Sequence, residues 1–239
     1  MSKKITKRIL IKLSGESLMG NESYGIELKT VDRLARDINS IKNCKVQLCI
    51  VIGGGNIFRG LVASADGMDR ANADYMGMLA TVMNSLALQN ALEKINIETR
   101  VMSAFPIQSI CETYIRRRAV RHMQKGRVVI CAAGTGNPYF STDTAAALRA
   151  AELNCNSIYK ATQVDGIYNK DPKVFKSAKK FKKITYNNYL SKNLKEMDSA
   201  AISIARDNLI PIKIFSILKK NCFKNVYNNK LSFSEVTND

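Results

Sequence analysis

The sequence contains no tryptophan, one histidine and four prolines among its 239 residues. His122 is therefore the single histidine that the sequence offers as a general base or a metal ligand. The Gly-x-Ser-x-Gly motif of many serine hydrolases is missing, and none of the six cysteines forms a Cys-x-x-Cys pair. These absences argue against a Ser-His-Asp hydrolase and against a structural zinc site.

Long apolar runs are also absent. The strand-like run at 46–52 is interrupted by Gln47 and is far shorter than the roughly 20 residues of a membrane span. The basic start of the chain, residues 3–8, is not followed by the apolar core of a signal peptide. Cys49 and Cys131 lie in apolar runs, where a free thiol behaves as a small hydrophobe. We therefore expect a reduced, cytoplasmic location and no contact with membranes.

Acidic side chains are few relative to basic ones: 20 Asp and Glu against 37 Lys and Arg, a formal net charge of +17. Such an excess is typical of nucleic-acid binding, of a site for a polyanionic small molecule, or of a lysine-rich composition. The basic residues are spread along the chain, and no aromatic residues alternate with them to form a binding groove. We favour compositional bias and do not expect nucleic acid as a partner.

Apolar runs typical of buried strands alternate with segments of helical periodicity. Strands are predicted at 8–13, 46–52, 98–102, 127–132, 157–161 and 211–217, and helices at 27–41, 74–92, 109–124, 143–153, 186–194 and 198–207. This alternation predicts an α/β fold, a three-layer αβα sandwich with a central, mostly parallel sheet. We expect one domain over residues 1–239, with a basic excursion at about 170–184 and a weak C-terminal tail at about 221–239 that ends in an edge strand.

Three glycine-containing loops follow predicted strands, at 13–16, 53–56 and 134–138. In an open α/β sheet such loops lie at the carboxyl ends of the strands, where ligands bind. Their exposed backbone N–H groups can form a nest for phosphate. Neither the Walker P-loop nor the Gly-x-Gly-x-x-Gly motif is present. With no evident general base, the pattern favours phosphoryl transfer, which depends on positioning and charge neutralisation.

The motifs occur in an order that resembles the amino acid kinase superfamily, over about residues 7–215. They include Lys12-Leu13-Ser14-Gly15-Glu16, Gly53-Gly54-Gly55-Asn56 and Gly134-Thr135-Gly136-Asn137-Pro138. Within the superfamily, the blocks at 56–60, 74–81 and 134–143 are most similar to the bacterial uridylate kinases. The resemblance implies transfer of the γ-phosphoryl group of ATP to UMP, with Mg²⁺, in pyrimidine nucleotide biosynthesis. It also implies a homo-oligomer, a hexamer, that responds to GTP and UTP as allosteric effectors.

The resemblance further implies a role for individual positions. Catalytic roles fall on Lys12, Lys160, Asp143 and Asp198, the last as an orienter of Lys12 or of the cationic cluster. Contacts with ATP fall on Lys12, Leu13, Ser14, Gly15, Gly55, Arg59, Thr162, Tyr168 and Asp171. Contacts with UMP fall on Gly54, Asp74, Thr135, Gly136, Asn137, Pro138, Tyr139, Phe140, Ser141 and Thr142. The segment associated with effectors is Gly20, Asn21, Glu22, Ser23, Tyr24 and Gly25.

Some of these residues also have a purely structural interpretation. Asp74, Thr142 or Asp143, and Asp198 stand where helices are predicted to begin, so each could be an N-cap. No residues of the sequence are assigned as metal ligands, because Mg²⁺ keeps waters and binds mainly through substrate phosphates. Two alternatives stay open. One is a kinase of the same superfamily with a carboxylate or carbamate acceptor, and the other is a non-catalytic, basic nucleic-acid-binding regulator.

Overall fold

The computed structural model describes residues 7–172 and 174–238. The strands are β1 (Arg8–Leu13), β2 (Gln47–Ile52), β3 (Thr99–Ser103), β4 (Glu112–Thr113), β5 (Val128–Ala132), β6 (Ser157–Thr162), β7 (Ile167–Tyr168), β8 (Lys180–Phe181), β9 (Lys183–Thr185), β10 (Ile212–Ser216) and β11 (Ser234–Thr237). The helices are α1 (Leu28–Lys42), α2 (Gly60–Ala65), α3 (Arg70–Lys94), α4 (Arg116–Gln124), α5 (Thr142–Glu152), α6 (Tyr186–Ser191), α7 (Ser199–Asp207) and α8 (Cys222–Tyr227). A short 3₁₀ helix, Gly15–Leu18, follows β1.

The large sheet has nine strands in the order β4-β3-β5-β2-β1-β6-β10-β11-β9. Neighbouring strands of this sheet pair in parallel, except that β11 runs antiparallel to β10. Strands β7 and β8 form a separate antiparallel hairpin. The predicted α/β fold with a central, mostly parallel sheet is therefore confirmed.

The central strands are buried on both faces, which explains their continuous apolar sequences. On β1, Ile9, Ile11 and Leu13 join a core cluster with residues of α1, α3 and α8. Leu10, on the opposite face, joins a second cluster with residues of α4, α5 and α7. Because side chains alternate along a strand, Lys12 lies on the same face as Leu10 and points toward α5.

Side-chain caps set the starts of the helices that matter for the site. Asp69 caps α3 by accepting a hydrogen bond from the backbone N–H of Asn72 at 2.9 Å. Helix α3 therefore begins four residues before the predicted start, and Asp74 is not its N-cap. Helix α5 is capped by Ser141 rather than by Thr142 or Asp143. Asp198 does cap α7.

Two other predictions differ from the structure. The predicted helix at 109–124 is helical only from Arg116, because Glu112 and Thr113 instead pair with β3 as strand β4. The predicted edge strand in the tail is β11, but it lies inside the sheet between β10 and β9, and helix α8 precedes it. The basic excursion contains β8 and the first residues of β9.

Within the described part of the chain, no helix has the length and hydropathy required to cross a membrane.

Candidate active site

Two lysines and one aspartate form a buried charged centre at the carboxyl ends of β1 and β6. Lys12 and Lys160 are directly paired in the register of these neighbouring parallel strands. Asp143, in the first turn of α5, reaches both: its Oδ1 lies 2.7 Å from Lys12 Nζ and its Oδ2 lies 2.5 Å from Lys160 Nζ. The three side chains carry a net charge of +1 and sit where the sheet meets the N-terminus of α5.

Electrostatics keep the carboxylate of this centre ionised. Burial by itself would raise the pKa of Asp143, but the ammonium groups of Lys12 and Lys160 outweigh it and hold the pKa well below its usual range. The pKa of Lys160 is lowered, chiefly because burial disfavours its charged form, with Lys12 adding repulsion and Asp143 opposing the shift. The site is thus a preformed pair of cations whose charge is only partly compensated, which suits an incoming polyanion.

Asp198, expected to orient Lys12 or the cationic cluster, lies between the starts of α5 and α7. Its carboxylate accepts hydrogen bonds from the hydroxyls of Ser141 and Thr144 and, at 2.7 Å, from the backbone N–H of Ala201. Among the described residues, no hydrogen bond or ion pair joins it to Lys12, and its expected role as an orienter of Lys12 or of the cationic cluster stays a prediction. Its negative charge opposes the lowering of the Lys160 pKa that burial causes. Asp198 therefore ties the start of α5 to the start of α7 and acts on the cationic cluster at longer range.

The first two glycine loops touch each other beside this centre. The backbone N–H of Gly53 donates to Leu13 O at 2.9 Å. A Cβ atom on Gly15 would lie 2.3 Å from Asn56 Oδ1 and 2.9 Å from Gly53 O. A side chain at position 15 would thus push the loops apart, which is the physical reason for glycine there. Leu13 is fully buried, so of this residue only the backbone is available to a ligand.

A cavity of about 500 Å³ opens between the second and third glycine loops, α3 and the start of α5. Most of the residues expected to contact UMP line it. The lining comprises Gly54, Gly55, Phe58, Arg59, Gly60, Arg70, Asp74, Gly77, Met78, Thr81, Gly134, Thr135, Tyr139, Phe140, Ser141 and Thr142. Gly136, Asn137 and Pro138 are not part of the lining. Thr135 Oγ1 accepts from Asn137 N at 3.1 Å, so these residues shape the turn that carries Thr135.

Asp74 and Arg70 form one wall of this cavity. Asp74 Oδ2 accepts hydrogen bonds from Tyr139 N at 2.8 Å and from Arg70 Nε at 2.9 Å. The Arg70 guanidinium also lies 5.5 Å from the centre of the Tyr139 ring. Asp74 therefore connects α3 to the third glycine loop. Sequence reasoning missed Arg70, because the helix was predicted to begin at residue 74 and the i,i+4 pairing of Arg70 with Asp74 depends on the earlier start of α3.

Arg59, at the rim of the cavity, is half-exposed and already partnered. Its Nε donates to Gly55 O at 3.2 Å, and its Nη2 pairs with the carboxylate of Glu16. Gly55 and Arg59, expected on the ATP side, thus line the same cavity as the residues expected to contact UMP. This cavity is where the two expected sets of residues meet.

A second cavity, of about 510 Å³, lies beyond the end of β6. Tyr168 and Asp171 line it, as the resemblance implied for an ATP pocket, together with Val164, Asn169, Lys170, Pro172, Lys192, Asn193, Leu194, Lys195 and Glu196. Thr162 does not; its hydroxyl donates to Val164 O at 2.8 Å and shapes the loop that enters the cavity. The wall formed by residues 192–196 was missed, because nothing local in the sequence shows that it folds back onto this loop.

The segment from Gly20 to Gly25 lies on the surface next to the glycine loops. Its residues are exposed except Gly25, which is half-buried and whose N–H donates to Asn56 O at 2.7 Å. Gly20 and Asn21 line a separate cavity of about 280 Å³ together with Arg33 and Gln163. The segment is therefore physically linked to the second glycine loop.

A protein-built metal cage does not fit this centre. Among the described residues, no group of three or more His, Cys, Asp or Glu side chains could hold a metal ion. Both oxygens of Asp143, the carboxylate at the centre, already face ammonium groups. Any Mg²⁺ at this site would be carried by the phosphates of a bound nucleotide, with water as its other ligands.

The comparisons with known proteins identify the family of this chain. A family model described as the Amino acid kinase family matches residues 7–216. The chain belongs to the amino acid kinase family. Its resemblance to this family, inferred from the motifs, is confirmed, and phosphoryl transfer from ATP is the chemistry of kinases of this kind.

Within the amino acid kinase family, the chain is similar to uridylate kinases. It is 52% identical to the uridylate kinase of Paramagnetospirillum magneticum, over 98% of this chain and 97% of the relative. It is 56% identical to the uridylate kinase of Ehrlichia ruminantium, over 92% and 90% of the two chains. A solved UMP kinase from Bacillus anthracis superposes with a TM-score of 0.93 at 39% identity, covering 98% of this chain and 96% of that one.

Proposed function

We propose that this protein is an enzyme that transfers the γ-phosphoryl group of ATP to UMP and yields ADP and UDP. The observation that carries the proposal is the position of the Lys12–Asp143–Lys160 centre. It lies next to the cavity lined by Ser141 and Thr142 and at the strand ends that also lead to the second cavity. The relatives named uridylate kinase, aligned over nearly their whole length, support UMP as the acceptor.

The two cavities divide the substrates between them. The first, with Gly54, Asp74 and the loop at 135–142, would hold UMP, and Asp74 would accept hydrogen bonds from the ribose hydroxyls. The second, with Tyr168 and Asp171, would hold the base and ribose of ATP, and Thr162 would shape its entrance. The triphosphate would then run along the backbone N–H groups of residues 12–15 and 55 toward Lys12 and Lys160. The Arg59 guanidinium would leave its ion pair with Glu16 and donate hydrogen bonds to a phosphate.

We propose direct in-line transfer. A phosphate oxygen of UMP attacks the γ-phosphorus, a new P–O bond forms, and the bond from that phosphorus to the β–γ bridging oxygen breaks as ADP leaves. The attacking oxygen is already charged, so no general base is needed. Lys12 and Lys160 would neutralise charge on the transferring group and on the leaving oxygen, in a buried site where such charges act strongly.

Several further properties belong to the same proposal. Mg²⁺ would enter as part of the substrate Mg-ATP. The reaction would take place in the cytoplasm, where ATP and UMP are present, as a step of pyrimidine nucleotide biosynthesis. Residues 1–239 would form one domain. GTP and UTP would act as effectors, with the surface segment 20–25 as the part of the chain that responds.

We also propose that the protein is a homo-oligomer, a hexamer. The hexamer comes from the family resemblance, and an exposed apolar stripe on α3 supports a contact between subunits. Tyr75, Met76, Leu79 and Met83 lie at helical spacing, and each is between 42% and 54% exposed. Contiguous apolar surface of this kind marks protein–protein contacts. A stripe on the helix that also carries Asp74 would place the subunit contact directly behind the acceptor cavity.

The proposal is tested by measuring ADP release from Mg-ATP with UMP, CMP, dUMP, AMP, glutamate and carbamate as separate acceptors. We expect turnover with UMP well above that with every other acceptor. Turnover only with glutamate or carbamate would keep the kinase chemistry and reject UMP as acceptor.

Absence of turnover with every acceptor, from folded protein, would reject the proposal. Salt-sensitive retention on heparin or nucleic acid, without a UMP-induced stabilisation, would then favour a nucleic-acid-binding regulator. A shift of Tm by UMP but not by glutamate would support the acceptor cavity independently of turnover.

A further inference from the structure

The inner face of α3 is in direct contact with the phosphate-binding loops. A Cβ atom on Gly54 would lie 2.7 Å from Gly77 O and 2.9 Å from Ala80 Cβ. The second glycine loop thus rests on the backbone of the helix with no space between them. One and two turns away from Gly77 on the same face, the helix presents two buried polar side chains, Thr81 and Asn84, which are 2% and 0% exposed.

Asn84 and Asn56 form a reciprocal amide pair. Asn84 Nδ2 donates to Asn56 Oδ1 at 2.7 Å, and Asn56 Nδ2 donates to Asn84 Oδ1 at 3.0 Å. The remaining donor capacity is used outside the pair, since Asn84 Nδ2 reaches Gly53 O at 2.8 Å and Asn56 Nδ2 reaches Gly25 O at 2.8 Å. Both side chains are buried and fully partnered, so removing either one leaves polar groups orphaned.

Through Asn56, the pair also controls the first glycine loop. Asn56 Oδ1 lies against Gly15, so closely that a Cβ atom there would be 2.3 Å from it. The amide pair therefore fixes the Gly53 peptide by a hydrogen bond and supports Gly15 by contact. These are the loops that would carry phosphates of both nucleotides.

Thr81 holds the third glycine loop. Its hydroxyl donates to Met78 O at 2.6 Å and accepts from the backbone N–H of Ala133 at 2.8 Å. Ala133 and Gly134 have φ values of 60° and 57°, in the left-handed region that an alanine rarely adopts. The hydrogen bond that Ala133 N–H donates to Thr81 therefore holds a residue of unfavourable backbone conformation directly before the third glycine loop.

We propose that Thr81, Asn84 and Asn56 are positioning residues that hold the three phosphate-binding loops in register from one face of α3. Asn56 and Asn84 lie outside the lining of the acceptor cavity, and Thr81, which is part of that lining, already uses its hydroxyl to bond Met78 O and Ala133 N–H. The inference rests on the proposed function, because it assigns these residues to aligning ATP with UMP. Loss of alignment by a fraction of an ångström is costly in a reaction that relies on positioning.

The different contacts predict different effects of substitution. Thr81→Val keeps the side-chain shape but removes the acceptor for Ala133 N–H. It should weaken UMP binding on the order of tenfold and leave ATP binding nearly unchanged. Asn84→Ala should weaken both nucleotides and lower kcat on the order of tenfold. Because Asn56 and Asn84 act as a pair, the double alanine variant should lose little more than Asn84→Ala.

The matched control is Ser85→Ala. Ser85 is also fully buried on α3, but its hydroxyl donates only within the helix, to Thr81 O at 2.7 Å. It should lower Tm and leave kcat and both affinities unchanged. Affinities for UMP and for ATP are measured separately by calorimetry, and kcat by ADP release, well below the Tm of each variant.

The outcomes are distinct. The inference would be overturned if Thr81→Val and Asn84→Ala had the same kcat and nucleotide affinities as Ser85→Ala. Should Asn84→Ala fail to fold, the isosteric Thr81→Val decides by its UMP-to-ATP affinity ratio. Failure of the proposed function appears instead in the wild type, as absence of UMP turnover, and the calorimetric ratios of the variants still test the loop positioning.

Discussion

Replacing Asp143 with asparagine tests the charged centre directly. At an effective dielectric of about 20, each ion pair of Asp143, at 2.7 Å to Lys12 and 2.5 Å to Lys160, has a Coulomb energy of about 6 to 7 kcal/mol. Desolvation of the three buried ions offsets most of this gain. Removing one partner of a buried pair nevertheless costs about 3–5 kcal/mol, because the remaining charges stay buried without compensation. For a chain of this size, that loss corresponds to a decrease in Tm of roughly 6–20 °C.

The variant should also respond differently to nucleotides and to pH. The net charge of the three positions rises from +1 to +2, so bound phosphates should raise the Tm of Asp143→Asn more than that of the wild type. The pKa of Asp143 is lowered in the folded state. The ionised Asp143 therefore makes its whole contribution to stability at any pH above the usual carboxyl pKa of about 4. The difference between wild type and variant should shrink as the pH falls through the lower, folded pKa.

Denaturant unfolding at pH 7 measures the loss, and Asp37→Asn is the control. Asp37 is also buried, but burial raises its pKa by more than Asn221 N–H and Arg33 lower it. Its ionised form is therefore a cost to the folded state at neutral pH, and asparagine can still accept from Asn221 N. We expect Asp37→Asn to stay within about 1 kcal/mol of the wild type. If Asp143→Asn were as stable as Asp37→Asn, the account of the charged centre would be refuted.

Two further predictions concern turnover. Lys12→Ala should lower kcat on the order of 100-fold or more, because the variant loses a preorganised positive charge. Circular dichroism should show that the variant keeps its fold. A near-normal kcat would remove Lys12 from the mechanism. Because the pKa of Lys160 is lowered, kcat/KM should decrease at alkaline pH, at a pH below the ordinary lysine pKa. Lys160→Arg stays charged, so its pH profile should lack this decrease. The same decrease in both proteins would exclude Lys160 as its origin.

Local sequence patterns were enough to predict the layered fold. Strand β5 is a continuous apolar run, and helix α1 shows one apolar face, so the types of these elements follow from neighbours along the chain. The order of the motifs likewise placed Lys12, Asp143 and Lys160 in one family and one site. The strand ends bring them together because the carboxyl ends of parallel strands share one edge of the sheet.

Boundaries and caps were less predictable. Asp74 was expected to begin a helix that Asp69 caps instead, because Asp69, Asn72 and Asp74 are all residue types that can serve as an N-cap. The stretch before Arg116 has helical periodicity, yet Glu112 and Thr113 pair with β3. Strand β11 enters the sheet between β10 and β9. In these places, partners far away in sequence outweighed the local preference.

The sequence by itself determined the fold class, the family and the identities of the charged residues, since these depend on composition, spacing and motif order. Only the tertiary structure decided which partner each polar side chain has. Asp198 bonds to Ser141 and Thr144 rather than to Lys12, and Asn84 reaches the second glycine loop from another element. A hydrogen bond depends on positions to within a few tenths of an ångström. Those positions follow from how α3, α5 and α7 pack on the sheet, which no local pattern in the chain encodes.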